Sequence, residues 1–434
     1  MKVLVNQILT SSNLAKAREW GKLITITGFA QIALQFIGFI SGIIIIRLLS
    51  TEEYAYYTIA NTMLGTMIML ADSGISNGVK AEGGKVWQDK KKLGVVLATG
   101  LSLRKRFGIY SLIVTIPILA YLLLDHGTSI FFTCLIILAI IPAFFAALSD
   151  SFLEMAPLLH QDIKPLQINQ LEVGLGRLAL TTLFLFFLPF TFLALIANGI
   201  PRMYGNYKLR KISKRFASDS EKPDFLVQKR VKVAINRTMP IVIYYCISSQ
   251  ISIWLISFFG STTSISHIGA LGRISVVFGL FAALFSTLVV PRFSRLKPNR
   301  RNLLRTFLFI QGGTAVISIV LISFIWLFSD ELLWILGQGY YGLSYELLLL
   351  GISSGIILMA GVCSELIIIR GWFIKTYILI IVNFISTVLA LMYLNISSLI
   401  GVLYINIITT VAGYLVVFLY GIFSINRTKL IVNE

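Results

Sequence analysis

Apolar runs of about twenty residues recur along this chain from residue 22 to residue 424. Each is long enough to cross a hydrocarbon core of roughly 30 Å as a helix. Inside such a core no water satisfies the backbone N–H and C=O groups, so each run has to close its own hydrogen bonds, and a helix does that locally. Hydrophobic residues make up 57% of the 434, charged residues only 13%, and the mean hydropathy is +0.86. That balance excludes a water-soluble enzyme of this length and predicts an all-α polytopic membrane protein.

Runs bounded by charge or turn residues predict twelve spans. Six cover 22–46, 54–78, 107–124, 129–149, 168–187 and 189–205, and six cover 236–259, 265–290, 304–328, 344–369, 372–394 and 398–424. An even number puts both termini on one side. With that side cytoplasmic, 34 of the 37 Lys and Arg fall on inward segments, Arg47 lies on an outward connection, and Arg177 and Arg273 lie within spans. This asymmetry follows the positive-inside rule and predicts a multi-pass protein of a bacterial inner membrane with both ends cytoplasmic. The net charge of +18 then faces anionic membrane lipids, worth roughly 1 kcal/mol per basic residue at the surface, and calls for no nucleic acid. The polar, basic start of the chain and the length of the first run predict a retained span rather than a cleaved signal peptide.

Residues 1–206 and 236–434 each hold six predicted spans, as N-terminal and C-terminal lobes joined by a basic cytoplasmic linker, 207–235. Parallel six-span halves are a plan shared by several transporter folds. The stretch from Lys90 to Arg106, with Leu93, Val96, Leu97 and Leu101 between basic clusters, reads either as an amphipathic interfacial helix or as a solvated loop. Every outward connection is short, which leaves no external domain. Cys134, Cys246 and Cys363 lie in apolar runs without pairing arithmetic, and His126, His160 and His267 are scattered along the chain. No disulfide, metal site, cofactor or catalytic constellation is predicted, and no Gly-rich phosphate loop serves an ATP-driven pump.

Two motifs carry a family resemblance. Arg47-Leu-Leu-Ser-Thr-Glu-Glu-Tyr-Ala-Tyr-Tyr-Thr-Ile-Ala is followed by Asp72-Ser-Gly-Ile75, and the second half holds Gly269-Ala-Leu-Gly-Arg-Ile274. With the span number and loop lengths, this resembles the Wzx-type O-antigen and polysaccharide flippases of the multidrug/oligosaccharidyl-lipid/polysaccharide exporter (MOP) superfamily. The chain departs from the family pattern at Ser50 and Ala55, where glycines are usual. The resemblance implies two six-helix lobes around a central cavity. It also implies movement of undecaprenyl-diphosphate-linked oligosaccharide from the cytoplasmic to the periplasmic leaflet by alternating access, with a polysaccharide polymerase and a chain-length regulator as neighbours.

A charge near the bilayer midplane costs about 2.5 to 3.5 kcal/mol on insertion scales and so generally faces protein or a wet cavity. Arg177 and Arg273 are therefore candidates to hold a diphosphate, since guanidinium is always charged and presents a planar fork of donors. The alternative for either one is an interhelical ion pair that only holds the bundle together. Arg47, at the outer end of the first span, is a third candidate, with snorkelling to the headgroups as its alternative. Asp72, Glu172 and Glu365 lie toward the cytoplasmic ends of their spans, either as interfacial residues or as sites coupling transport to a proton or sodium gradient. Glu172 and Arg177 are roughly 140° apart on one helix and must find partners elsewhere. A multidrug or organic-cation exporter of the same superfamily would prefer an acidic cavity without deep arginines. A membrane polysaccharide polymerase would need a long outer loop.

Overall fold

The computed structural model describes residues 11–294, 296, 299–372 and 374–427. Among the described residues the regular structure is helical. The first half runs α1 (Ser11–Leu48), α2 (Thr51–Asp72), α3 (Ile75–Val86), α4 (Lys90–Asp125), α5 (Ile130–Leu159), α6 (Ile163–Phe187) and α7 (Thr191–Ser213). The second runs α8 (Phe225–Phe259), α9 (Thr262–Ile274), α10 (Val276–Leu288), α11 (Val290–Ser294), α12 (Arg300–Leu327), α13 (Ser329–Leu336), α14 (Ser344–Ile368), α15 (Thr376–Tyr393) and α16 (Leu399–Asn426). Most of each predicted segment is helical among the described residues, although 54–78 is broken at Ser73-Gly74 between α2 and α3, and eight stretches are long and apolar enough to cross a membrane by length and composition alone. Side chains such as Phe186, Phe309, Trp326 and Leu419 lie exposed along them, which is tolerable where the surrounding solvent is hydrocarbon.

Several helices outrun their apolar windows. α4 begins at Lys90 rather than near 107, α5 continues to Leu159, α7 to Ser213, and α8 begins at Phe225. Lys90 to Arg106 is thus the first part of a long helix. Its apolar face is packed, with Leu93, Val96 and Leu103 buried, while Lys90, Lys91 and Lys92 stay exposed. The outward connection 329–343 holds α13 and a short 3-10 turn, Gln338–Tyr340. The segment predicted as one span over 265–290 is interrupted at Ser275, between α9 and α10, and Ser354 of α14 donates a 2.8 Å hydrogen bond to the Ser275 hydroxyl.

The chain forms two compact units. One comprises the chain through Ser41 with Met63–Ile118 and Phe131–Ile243, and the other comprises Gly42–Thr62, Leu119–Ile130 and the chain from Tyr244 onward. Two segments from the first half therefore belong with the second half. His126 shows why: its ring nitrogens bond the Thr262 hydroxyl at 3.1 Å and the Ser257 carbonyl at 2.8 Å, and its own carbonyl accepts from the Tyr56 hydroxyl at 3.0 Å.

In the first unit the stretch between α7 and α8 is fastened rather than loose. The Ser218 N–H donates to the Lys90 carbonyl at 3.0 Å and the Asp224 N–H to the Thr99 hydroxyl at 2.9 Å. Arg230 pairs with Glu82 at 2.7 Å. Val227, Val231 and Ile235 join Ile75, Val79, Val96, Leu103, Phe152 and Met155 in one apolar cluster. In the second unit α12, α14 and α16 pack closely, with Ser318 of α12 donating to the Gly355 carbonyl of α14 at 3.1 Å.

Candidate functional site

The first unit encloses a cavity of about 540 Å³, lined from five long helices, α1, α4, α5, α6 and α7, with Ile68 of α2. Helical spacing explains how apolar helices build a polar wall. Gln31, Gln35, Gly38 and Ser41 on α1 recur every three or four residues, and so do Ala147, Asp150, Ser151 and Glu154 on α5. Asn169, Gln170, Gly174 and Arg177 do the same on α6, and Arg202, Asn206 and Leu209 on α7. Each set is one stripe of a helix whose other faces meet apolar neighbours. Gly205 lets α7 approach α6, because a Cβ there would run into Val173.

The charged groups of this wall are held in a network. Arg202 Nε donates to Asp150 Oδ2 at 2.9 Å, and Asn206 Nδ2 donates to the other oxygen of the same carboxylate at 2.6 Å. Arg104, only 4% exposed, donates to the Ser151 hydroxyl, lies 3.4 Å from Asp72 Oδ1, and stacks over the Phe152 ring. Glu154 accepts from Gln170 at 3.1 Å. Three guanidinium groups, from Arg104, Arg177 and Arg202, therefore line the cavity together with two carboxylates and several amides. Three buried wall atoms, Ser41 Oγ, Arg104 Nε and Asn169 Oδ1, have no hydrogen-bond partner among the described residues, so water or an occupant of the cavity has to bond them.

Of the six residues singled out in the sequence, Arg177 lines this cavity. Asp72 stands behind the wall: it meets Arg104 and accepts from the Ser76 N–H and hydroxyl, across a turn in which Gly74 is left-handed at φ 83°. Glu172 is on the exposed side of α6 in an ion pair with Lys208 of α7 at 2.5 Å. Arg47, Arg273 and Glu365 belong to the second unit. Arg273 reaches α2, where it hydrogen-bonds the hydroxyls of Tyr54 and Tyr57, and its stem lies against Gly42 of α1, whose added Cβ would come within 3.1 Å of Arg273 Cδ. Arg47 caps α13. Its guanidinium donates to the Ile335 carbonyl at 2.8 Å and to that of Trp334, and lies over the Trp334 ring. Glu365 is half-buried near the end of α14.

Sequence reading missed Arg104, Asp150, Glu154 and Arg202: Arg104 precedes its apolar window and Asp150 and Glu154 follow theirs while the helices run on, and Arg202, at the end of its window, reads as part of the basic inward segment. A signal was present. Asp150 and Glu154 are four apart, as are Arg202 and Asn206, and the apolar residues between them keep helical spacing past the window.

No family model matches the sequence, and no curated protein matches it. Solved structures do. The chain is similar to the inward-facing conformation of a multidrug resistance MATE family transporter of the MOP superfamily, with a TM-score of 0.72, 14% identity, and coverage of 92% of this chain and 96% of that one. It is also similar to an outward-facing conformation of such a transporter, with a TM-score of 0.59, 15% identity, and coverage of 94% and 93%. A third similar structure is a MOP superfamily transporter from Pyrococcus furiosus whose binding pocket is described as reversed in polarity, suggesting a different function (TM-score 0.60, 14% identity, coverage of 94% and 95%). At this identity the likeness carries the fold: the chain shares the all-helical fold of these transporters.

Proposed function

We propose that this protein is a secondary transporter of the inner membrane that flips an undecaprenyl-diphosphate-linked oligosaccharide from the cytoplasmic to the periplasmic leaflet. The observation that carries the reading is the cavity wall of the first unit, where Arg104, Arg177 and Arg202 stand among the amides of Gln31, Gln35, Asn169, Gln170 and Asn206. Guanidinium groups suit phosphate oxygens, and amides suit sugar hydroxyls, since each offers both a donor and an acceptor. Arg177 is the residue to test first, because it lies well inside the predicted 168–187 span, where a charge is most costly and is kept for a protein-lined site. Arg47 and Arg273 remain secondary candidates. The twelve-span topology with both ends cytoplasmic is part of this reading, supported by the placement of 34 of 37 basic residues.

Ion coupling fits the same wall. Glu154 faces an amide rather than a cation, so it can exchange a proton without breaking an ion pair. Asp72, Glu172 and Glu365 are the other carboxylates for this role, and the first two already have cationic partners.

The second reading, a multidrug or organic-cation exporter, is favoured by the likeness to a multidrug resistance transporter. Three arginines against two acids on the cavity wall weigh against a cationic cargo. The test is deletion of the protein in its host, followed by assay of lipid-linked oligosaccharide on each face of the inner membrane. Accumulation of complete units on the cytoplasmic face with loss of surface polysaccharide is expected. Normal sidedness of these units with a fall in organic-cation resistance would instead establish the exporter. Normal sidedness with arrested chain growth would point to a polymerase.

A further inference from the structure

A second cavity of the first unit, about 490 Å³, lies on other stripes of α4, α5 and α7 and shares no lining residue with the first. Its floor is apolar, formed by Leu97 and Leu101 of α4 and by Phe152 and Leu153 of α5. Its rim is basic. Arg210, Lys211 and Lys214, at the end of α7 and just past it, are all exposed there, and Asp219 is the one carboxylate. Two devices shape the rim. The Lys211 ammonium is held 4.4 Å over the Tyr207 ring, and Lys214 meets Asp219 at 2.6 Å. Arg210 Nε donates to Asn206 Oδ1 at 3.3 Å. The outer wall is built by the strap after α7, where Ser218 hydrogen-bonds the Lys90 carbonyl and lies so close to Gly94 that a Cβ there would run into the Ser218 carbonyl oxygen.

We propose that this pocket binds one anionic phospholipid of the surrounding bilayer, with its phosphate on Arg210, Lys211 and Lys214 and part of an acyl chain on the Leu97, Leu101, Phe152 and Leu153 floor. Two features select this occupant. Three cations against one carboxylate attract a monoanionic headgroup, and basic pockets between membrane helices on the cytoplasmic side are suited to such groups. The apolar floor belongs to α4 and α5, both candidate spans, so basic groups for a headgroup and an apolar surface for a chain stand side by side. A soluble phosphate compound would leave the floor uncovered. The site is separate from the transport cavity and does not depend on which cargo that cavity carries.

The test uses the purified full chain in detergent and native mass spectrometry, with phosphatidylglycerol as the probe and phosphatidylcholine of the same chains as the neutral comparison. One phosphatidylglycerol per chain should be retained in preference to phosphatidylcholine. The triple variant Arg210→Gln, Lys211→Gln, Lys214→Gln should bind about a hundredfold more weakly, at the worth of three surface cations. Ala98→Trp, which fills the pocket and keeps every charge, should also lose the lipid. The control Lys222→Gln, Lys229→Gln, Lys232→Gln removes the same charge from exposed positions outside the pocket and should bind as the parent does. Equal weakening in both triple variants would overturn the site in favour of diffuse attraction. Displacement by glycerol phosphate at the same concentration as the lipid would reduce it to a phosphate site. Occupation by a polyprenyl diphosphate with no retention of phosphatidylglycerol would assign it to the cargo instead.

Discussion

The two units treat the same residue type in opposite ways. In the second unit, Arg273 is absorbed by two tyrosine hydroxyls and a glycine groove, and Arg47 by the carbonyl end of a short helix. Both behave as staples between helices. In the first unit, Arg104, Arg177 and Arg202 line a cavity with carboxylates and amides. An arginine inside a membrane is thus evidence of a partner, and the partner decides whether it binds cargo or holds the bundle.

The sharpest way to break this contrast is to exchange the arginines. Arg177→Ala should reduce transport at least about tenfold, the loss of one charge-assisted bond, a larger fall than any loss of folded protein accounts for. Arg177→Lys should restore part of it. Arg273→Met should do the reverse: it should lower stability by about 1 to 3 kcal/mol, the cost of leaving buried polar partners unpaired, while each folded molecule still transports. Complete loss of transport in Arg273→Met at unchanged stability would move Arg273 from staple to binding residue.

A smaller effect should come from the helix crossing that seats Arg273. Gly269 of α9 faces Thr58 of α2, where a Cβ would overlap the threonine side chain. Gly269→Ala should therefore destabilise by about 1 to 2 kcal/mol through overpacking. Thr58→Ala in the same molecule should recover most of that, a coupling that a double-mutant cycle measures.

The smallest expected effect is at the basic end of the first unit. The Lys85 ammonium, against the cost of burial and with help from Arg230, holds the Glu82 carboxyl below the usual carboxylate range. A depressed carboxyl contributes stability at pH values above its unfolded pKa and loses it as pH falls through the folded one. Glu82→Gln should thus be less stable than the parent by about 1 kcal/mol at pH 7. The difference should shrink as the pH drops from just above the ordinary glutamate value to below it. A gap that stays constant over that range would remove Glu82 as the source.

The helices were largely legible in the sequence because a membrane helix announces itself by a long apolar run. Their ends were not, because a helix continues wherever its backbone bonds and one packed face allow, as α4 does back to Lys90 and α5 on to Leu159. The same gap hid half of the cavity. Asp150 and Glu154 fall beyond their apolar window and Arg202 sits at the end of its own, where charge reads as loop, although the four-residue spacings of Asp150 to Glu154 and of Arg202 to Asn206 mark helix faces. Arg177 was legible because it interrupts a window. The stretch read as a linker conceals a different failure: its hydrogen bonds to Lys90 and Thr99 join residues more than a hundred positions apart, and no local pattern encodes them.

The most direct measurement is transport by the purified protein in sealed vesicles, with undecaprenyl-diphosphate-linked oligosaccharide in the bilayer and an external lectin reporting the leaflet. The proposed function predicts ion-gradient-driven movement of the oligosaccharide to the opposite leaflet by the parent and its near abolition in Arg177→Ala. Movement of an organic cation under the same gradient, with the oligosaccharide stationary and Arg177→Ala as active as the parent, would contradict it.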